Sequence, residues 1–183
     1  MTSRGLLLAA GAGSRYGGPK ALVRDADGTS WLLRAVHALV PCDGVTVVLG
    51  ASAAEVARLL PPSVEAVVAD DWQSGMGASL RSGLAAVTES PADSVLVTLV
   101  DLPDVTPEVV GRVLAAQDGA ASLARASYDG VPGHPVLIGR DHWSGVAAAA
   151  VADRGARDYL AEAPVTLVDC SDLATGVDVD EPS

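Results

Sequence analysis

Phenylalanine is absent from this chain, aromatic residues make up only 3% of it, and lysine occurs once, as Lys20. With so few rings, Val, Leu and Ala must fill the interior, a bias that suits parallel strands buried on both faces. Cations are also scarce: 12 Lys and Arg stand against 23 Asp and Glu, for a net charge of -11. That balance excludes a duplex-DNA or anionic-membrane surface, since both need clustered basic residues. Any anion bound here must be met by a few placed groups. Cys42 and Cys170 are too few for a disulfide framework or a zinc site, and read as small buried residues of a reducing cytosol. No apolar run reaches the ~20 residues of a membrane span. The N-terminal apolar run, residues 5–10, falls short of the ~7–15 of a secretory h-region and leads into glycines and Arg15. A cytoplasmic location is expected.

What remains is a 183-residue chain with a hydrophobic share of 49%, long enough to bury roughly 70% of its unfolded surface in one core. Short Val- and Leu-rich runs at 6–10, 45–49, 64–69 and 95–100 read as strands. Helical spacing of apolar residues falls between and after them, at 31–40, 53–60, 77–87 and 107–116. The last third is less regular. It predicts strands at 122–127 and 135–138 around a turn at 129–133, helices near 141–151 and 156–163, and a final strand at 165–168. Repeated strand–helix–strand units imply an α/β fold of three layers, α/β/α, with a mainly parallel Rossmann-like sheet. Neither an internal repeat nor a linker divides the chain, so residues 1–183 read as one domain, with an acceptor-side part from about 106 onward.

The strongest chemical signal is Leu8-Ala9-Ala10-Gly11-Ala12-Gly13-Ser14-Arg15-Tyr16-Gly17-Gly18-Pro19-Lys20. At the carboxyl end of a first parallel strand, such a loop lies where open α/β sheets bind ligands. Glycines let backbone N–H groups approach an anion, and Arg15 and Lys20 add positive charge. Two commoner phosphate loops are excluded. A dinucleotide fingerprint needs glycine where Tyr16 stands, and an acid after the second strand, where the chain has Leu49-Gly50-Ala51. A Walker loop needs Gly-Lys-Ser/Thr, whereas Pro19 precedes Lys20 and Ala21 follows it.

Two acidic segments complement the loop. The run 95–100 ends in Asp101-Leu102-Pro103, which puts a carboxylate at the same edge of the sheet, where a cation would offset its charge. Magnesium prefers such hard oxygen ligands beside substrate phosphates. Near the C-terminus, Gly176-Val177-Asp178-Val179-Asp180-Glu181-Pro182 sends Asp178 and Asp180 to one side if extended.

These motifs resemble the signature of the nucleotidyltransferase superfamily that includes the molybdenum cofactor cytidylyltransferases and guanylyltransferases. The resemblance rests on Leu8-Ala9-Ala10-Gly11, Ser14-Arg15-Tyr16-Gly17, Pro19-Lys20, the Asp101-x-Pro pattern and the C-terminal acids, where Glu181 replaces the family's threonine. Further segments match in order: Gly75-Met76 with Ser79-Leu80-Arg81, then Gly133-His134-Pro135-Val136, then Ala152-Asp153-Arg154-Gly155-Ala156-Arg157. The fold implied is that of the nucleotide-diphospho-sugar transferases.

The resemblance implies a magnesium-dependent transfer of CMP from CTP to a phosphorylated acceptor, foremost molybdopterin, with release of pyrophosphate. It gives Arg15, Lys20 and Asp101 catalytic roles, and assigns Mg²⁺ to Asp101 and to either Asp178 or Asp180, with Asp180 favoured. Nucleotide contacts fall to Leu8, Ala9, Ala10, Gly11, Gly13, Ser14, Arg15, Lys20, Gly75 and Ser79, with Arg81 as a further candidate. Acceptor contacts fall to His134 and Arg157, for which structural roles remain open, as they do for Arg154. GTP or another NTP, a different phosphorylated acceptor, and a non-catalytic accessory protein that hands cofactor to a molybdoenzyme are the alternatives. Nucleic acid and membrane are not expected partners.

Overall fold

The computed structural model of the chain describes residues 1–180. Four strands, β1 (Ser3–Ala9), β2 (Gly44–Leu49), β3 (Glu65–Val68) and β4 (Ser94–Leu99), are linked by α1 (Trp31–Ala38), α2 (Ala53–Ala57) and α3 (Met76–Thr88). After α4 (Pro107–Leu114) come the hairpin strands β5 (Leu123–Tyr128) and β6 (Val131–Gly139). The short helices α5 (Trp143–Ala149) and α6 (Arg157–Glu162) then precede β7 (Thr166–Asp169). The seven strands form one sheet in the order β3-β2-β1-β4-β6-β5-β7. β6 alone runs against the others, because it returns from a hairpin instead of crossing over a helix.

Alternation along the strands builds the layers. Leu7 and Ala9 of β1 face a core made with Leu32, Val36 and Leu39 around α1 and with Val109, Val110 and Val113 of α4. Leu6 and Leu8 face the opposite core, with Leu80, Leu84 and Val87 of α3 and Trp143, Val146 and Leu160 of α5 and α6. Each leucine of β1 is therefore removed from water, a contribution of about 2 kcal/mol apiece. Gly83 lets α3 lie close on the sheet, since a Cβ there would come within 2.7 Å of Leu6 and 2.8 Å of Val48.

The three-layer α/β/α arrangement agrees with the sequence reading, and the differences are at element ends. α1 and α2 stop at Ala38 and Ala57, short of 40 and 60, where the chain tightens into i→i+3 bonds ahead of Pro41 and of Pro61-Pro62. Proline disfavours helical backbone in the residue before it. The turn expected over 129–133 is shorter. Asp129 and Gly130 take left-handed backbone, with φ 50 and 80, and close a two-residue hairpin, so β6 begins at Val131. None of the helices among the described residues is long and apolar enough to cross a membrane.

Candidate active site

β1 and β4 are neighbours with Leu8 level with Leu99, so the glycine-rich loop and the Val100-Asp101 turn leave the sheet side by side. The loop folds back on itself: the Gly13 carbonyl accepts from the N–H groups of Tyr16, Gly17 and Gly18 at 2.9–3.1 Å. Gly13 has φ +60, and a Cβ on it would lie 1.9 Å from the Gly18 carbonyl oxygen, so this turn requires glycine. Among the described residues no backbone carbonyl accepts from Ala12, Gly13 or Ser14. Pro19 then leads into a single 3₁₀ turn, Lys20–Leu22, whose Ala21 is anchored in the core.

That anchor aims Lys20 at the acids. Its Nζ donates to Asp101 Oδ2 and to Asp180 Oδ1, each at 2.8 Å. The Lys20 and Asp101 side chains are only 13% and 17% exposed, whereas Asp180 is 50% exposed, so the pair on the sheet side is the one shielded from solvent. Burial alone would depress the lysine, but hydrogen bonds and charge from Asp101 and Asp180 hold it above its ordinary value. The same hydrogen bond lowers Asp180. Arg15 reaches only the outer edge of this group. It is 79% exposed and stands 3.4 Å from Asp180 Oδ2.

The acids converge because the C-terminal segment is tied across the β4 turn. Asp104 Oδ2 accepts from Thr175 N and Oγ1, each at 2.6 Å, and from Gly176 N. Val179 N–H donates to the Asp101 carbonyl at 3.0 Å. Gly176 has no room for a side chain, since a Cβ would come within 2.1 Å of the Tyr128 ring. Asp101, Asp178 and Asp180 thereby present carboxylate oxygens within 4.8 Å of one another. Asp101 Oδ1 is buried without a hydrogen-bond partner. Glu181 and Pro182 of the same motif lie outside the described residues.

Two openings flank this cluster. The first cleft, about 410 Å³, is lined by residues 8–14, Lys20, Gly75, Ser79 and Asp101, which brings together most of the residues assigned from sequence to the nucleotide. Trp72, Gln73, Met76 and Asp153 also line it, and none of these had been assigned a role from sequence. Arg81 stands elsewhere: it braces α3 to the following layer, donating to the Ala150 carbonyl and pairing with Asp71 at 3.0 Å. Gly75, at φ +106, allows the 150–155 segment to close against α3, because a Cβ would meet Ala152 and Asp153 at 2.6 Å.

The second cavity, about 360 Å³, adjoins the first along Leu8, Met76, Leu99 and Asp153. His134, Arg154, Arg157 and Asp178 line it, and so does Arg125 of β5, which sequence reading passed over. The available signal was a lone charged residue inside the small, apolar run Leu123–Tyr128. Burial first, then the Arg125 charge, pushes the His134 imidazole down to about 4, against an upward pull from Asp178. At neutral pH the ring is therefore uncharged. Tyr128 fixes this corner by donating its hydroxyl to the His134 carbonyl at 2.7 Å.

Comparison with known proteins bears on what the clefts serve. A model of the MobA-like NTP transferase domain matches residues 5–167. Over 187 aligned residues the chain is 42% identical to the nicotine blue oxidoreductase of Paenarthrobacter nicotinovorans, covering 96% of this chain and 91% of that protein. Among solved structures, Rv0371c of Mycobacterium tuberculosis H37Rv in complex with manganese superposes with TM-score 0.76 at 25% identity, covering 98% of this chain and 94% of that one. A nucleotidyl transferase of Methanothermobacter thermautotroptrophicus shares the fold, with TM-score 0.83 at 22% identity and coverage of 98% and 92%.

Proposed function

Because the chain belongs to the MobA-like NTP transferase domain family and is a nucleotidyltransferase of that kind, we propose that it transfers CMP from CTP to a phosphorylated acceptor, foremost molybdopterin, releasing pyrophosphate. The observation that carries this reading is the meeting of Lys20 with Asp101 and Asp180 beside a glycine loop at the carboxyl edge of the sheet. In this reading the first cleft takes the NTP and the second takes the acceptor. The division of the chain follows: residues up to about 105 supply most of the first cleft, and later ones supply the polar groups of the second, with Asp153 serving both.

The donor set fits a hard divalent cation, since three carboxylates converge and one buried oxygen of Asp101 lacks a partner. Asp101 and Asp180 would hold Mg²⁺, with Asp178 the alternative to Asp180; when bound, the ion would neutralise phosphate charge. That Rv0371c has been solved with manganese supports a divalent cation for this chain too.

The rest of the chemistry belongs to the chain. N–H groups of residues 12–14 cradle the phosphates, and Ser79 and Gly75 contact the nucleoside. The Lys20 ammonium leaves its carboxylates for the triphosphate and stabilises charge on the α-phosphorus and leaving group; Arg15 adds charge from the solvent side. An acceptor phosphate is already anionic at neutral pH, so its oxygen attacks without a general base, and positioning supplies most of the catalysis. His134 offers the acceptor an uncharged hydrogen-bonding ring.

The test is pyrophosphate release from a panel of NTPs with Mg²⁺ and candidate acceptors. CTP is expected to lead. No release from any NTP would return the chain to a non-catalytic carrier role. The Paenarthrobacter relative's name favours a second, redox reading. Against it stand Tyr16 and Gly50, where a dinucleotide fingerprint has glycine and an acid. A Cβ on Gly50 would approach the Ala10 carbonyl and Trp72 to 2.6 Å, so a longer side chain there has no space. NADH or NADPH oxidation in the presence of nicotine blue would favour the redox reading.

A further inference from the structure

Arg125 is a guanidinium that the fold surrounds without answering. It projects from β5, between the buried residues Ala124 and Ala126. Its Nε and one terminal nitrogen donate to the same acceptor, the Gly133 carbonyl, at 3.2 and 3.1 Å. That contact fixes the plane of the group but supplies no counter-charge. Among the described residues no carboxylate forms an ion pair with it, whereas Arg154, on the same cavity, is paired with Asp158 at 3.3 Å. Burial depresses Arg125, and the charge of Arg157 presses it further the same way. A half-buried guanidinium that shares its cavity with a second one is costly unless an anion relieves it. Among the described residues no carboxylate forms an ion pair with either of them.

The cavity's other end is acidic. Asp178 lines it and belongs to the carboxylate cluster, while neither Lys20 nor Asp101 lines it. His134 lines the same cavity, and the charges of Arg125 and Asp178 both act on its ring. An acceptor whose phosphate attacks beside the carboxylate cluster therefore extends toward the guanidiniums.

We propose that Arg125 and Arg157 form an oxyanion subsite in the second cavity, and that the acceptor carries a second anionic group in addition to the phosphate that attacks. This rests on the reading of the second cavity as the acceptor side. Arg125, pre-oriented by the Gly133 carbonyl, offers its remaining nitrogen face to a carboxylate or similar oxyanion.

The experiment uses the full chain saturated with the α,β-methylene analogue of CTP, and titrates two probes by calorimetry. Glycerol 3-phosphate carries one anionic group; 3-phosphoglycerate carries a phosphate and a carboxylate. The wild type is expected to bind 3-phosphoglycerate about tenfold more tightly, the size of one charge-assisted hydrogen bond. R125Q should erase that difference while leaving the affinity for the CTP analogue unchanged, and R125K should retain part of it. If R125Q does not fold, R125K and R157Q read the same difference. Equal affinity of the wild type for the two probes, or binding of neither, overturns the proposal. So does an R125Q variant that loses both probes alike, since Arg125 would then meet the attacking phosphate. Failure of the CTP analogue to bind would instead defeat the nucleotide reading, with the two probes still readable on the unliganded chain.

Discussion

The first cleft is walled by backbone from one continuous stretch, residues 8–14, while the second draws its polar groups from four separated places, around 125, 134, 153–157 and 178. One strand and its following turn supply the longest continuous wall of the first, which Lys20, the start of α3, Asp101 and Asp153 complete. The second exists only once the β5–β6 hairpin, the segment ahead of α6 and the C-terminal segment have all docked. A wall made of contiguous backbone tolerates little change in local conformation. A site made of converging side chains depends instead on distant parts.

The largest effect that would sharpen this contrast is on turnover. Lys20→Ala removes the cation that bridges Asp101 and Asp180, and pyrophosphate release should fall on the order of 10²–10³-fold by comparison with loss of one oxyanion donor. Turnover near that of the wild type would break the assignment of the first cleft. Next comes the loop's conformation. Gly13→Ala combines a left-handed φ with a Cβ placed 1.9 Å from the Gly18 carbonyl oxygen, whereas a Cβ on Gly11 meets nothing within 4 Å. The first substitution should cost roughly 3 kcal/mol in urea unfolding and the second within about 0.5 kcal/mol. Equal costs would show that the loop is not held as described.

On the second cavity the expected effect is on pH dependence. His134 is pushed down to about 4 in the fold, against 6.5 for an ordinary imidazole. Between those values the unfolded chain binds a proton that the folded chain refuses, so stability falls as pH drops through this window. Discounted for partial solvent access, the loss is roughly 2–3 kcal/mol. Urea melts at pH 7 and pH 4 should show it in the wild type and show it reduced in His134→Gln; identical pH profiles would count against a buried neutral imidazole. The smallest effect belongs to neither cleft. Arg81→Ala loses a partly exposed brace to Asp71 and the Ala150 carbonyl, for about 1 kcal/mol or less of stability. The KM for CTP should not change, and a large rise would return Arg81 to the nucleotide site.

The same contrast explains what could be read in advance. Periodicity gave the order of strands and helices, since Leu6 to Ala9 and Val109 to Val113 alternate or repeat as their buried faces require. The loop and Asp101 were legible because a glycine pattern and an acid at a strand end are local signals. The pairing of Asp180 with Asp101 depended on resemblance, as the ties from Asp104 to Thr175 and Gly176 span more than seventy residues and leave no local trace. Arg125 was missed for the same reason: it shares its cavity with Arg157 and has no ion pair among the described residues, and neither is visible along the strand. Arg81, a further candidate by its motif, has partners of another kind, Asp71 and a backbone carbonyl of the next layer.

The double bridge from Lys20 has one more consequence. Because an ammonium already rests between Asp101 and Asp180, their mutual repulsion is quieted before any ion arrives, so folding need not wait on metal supply. A chelator should silence such a catalyst while leaving its melting temperature almost where it was, and adding the ion back should restore work without a refolding step.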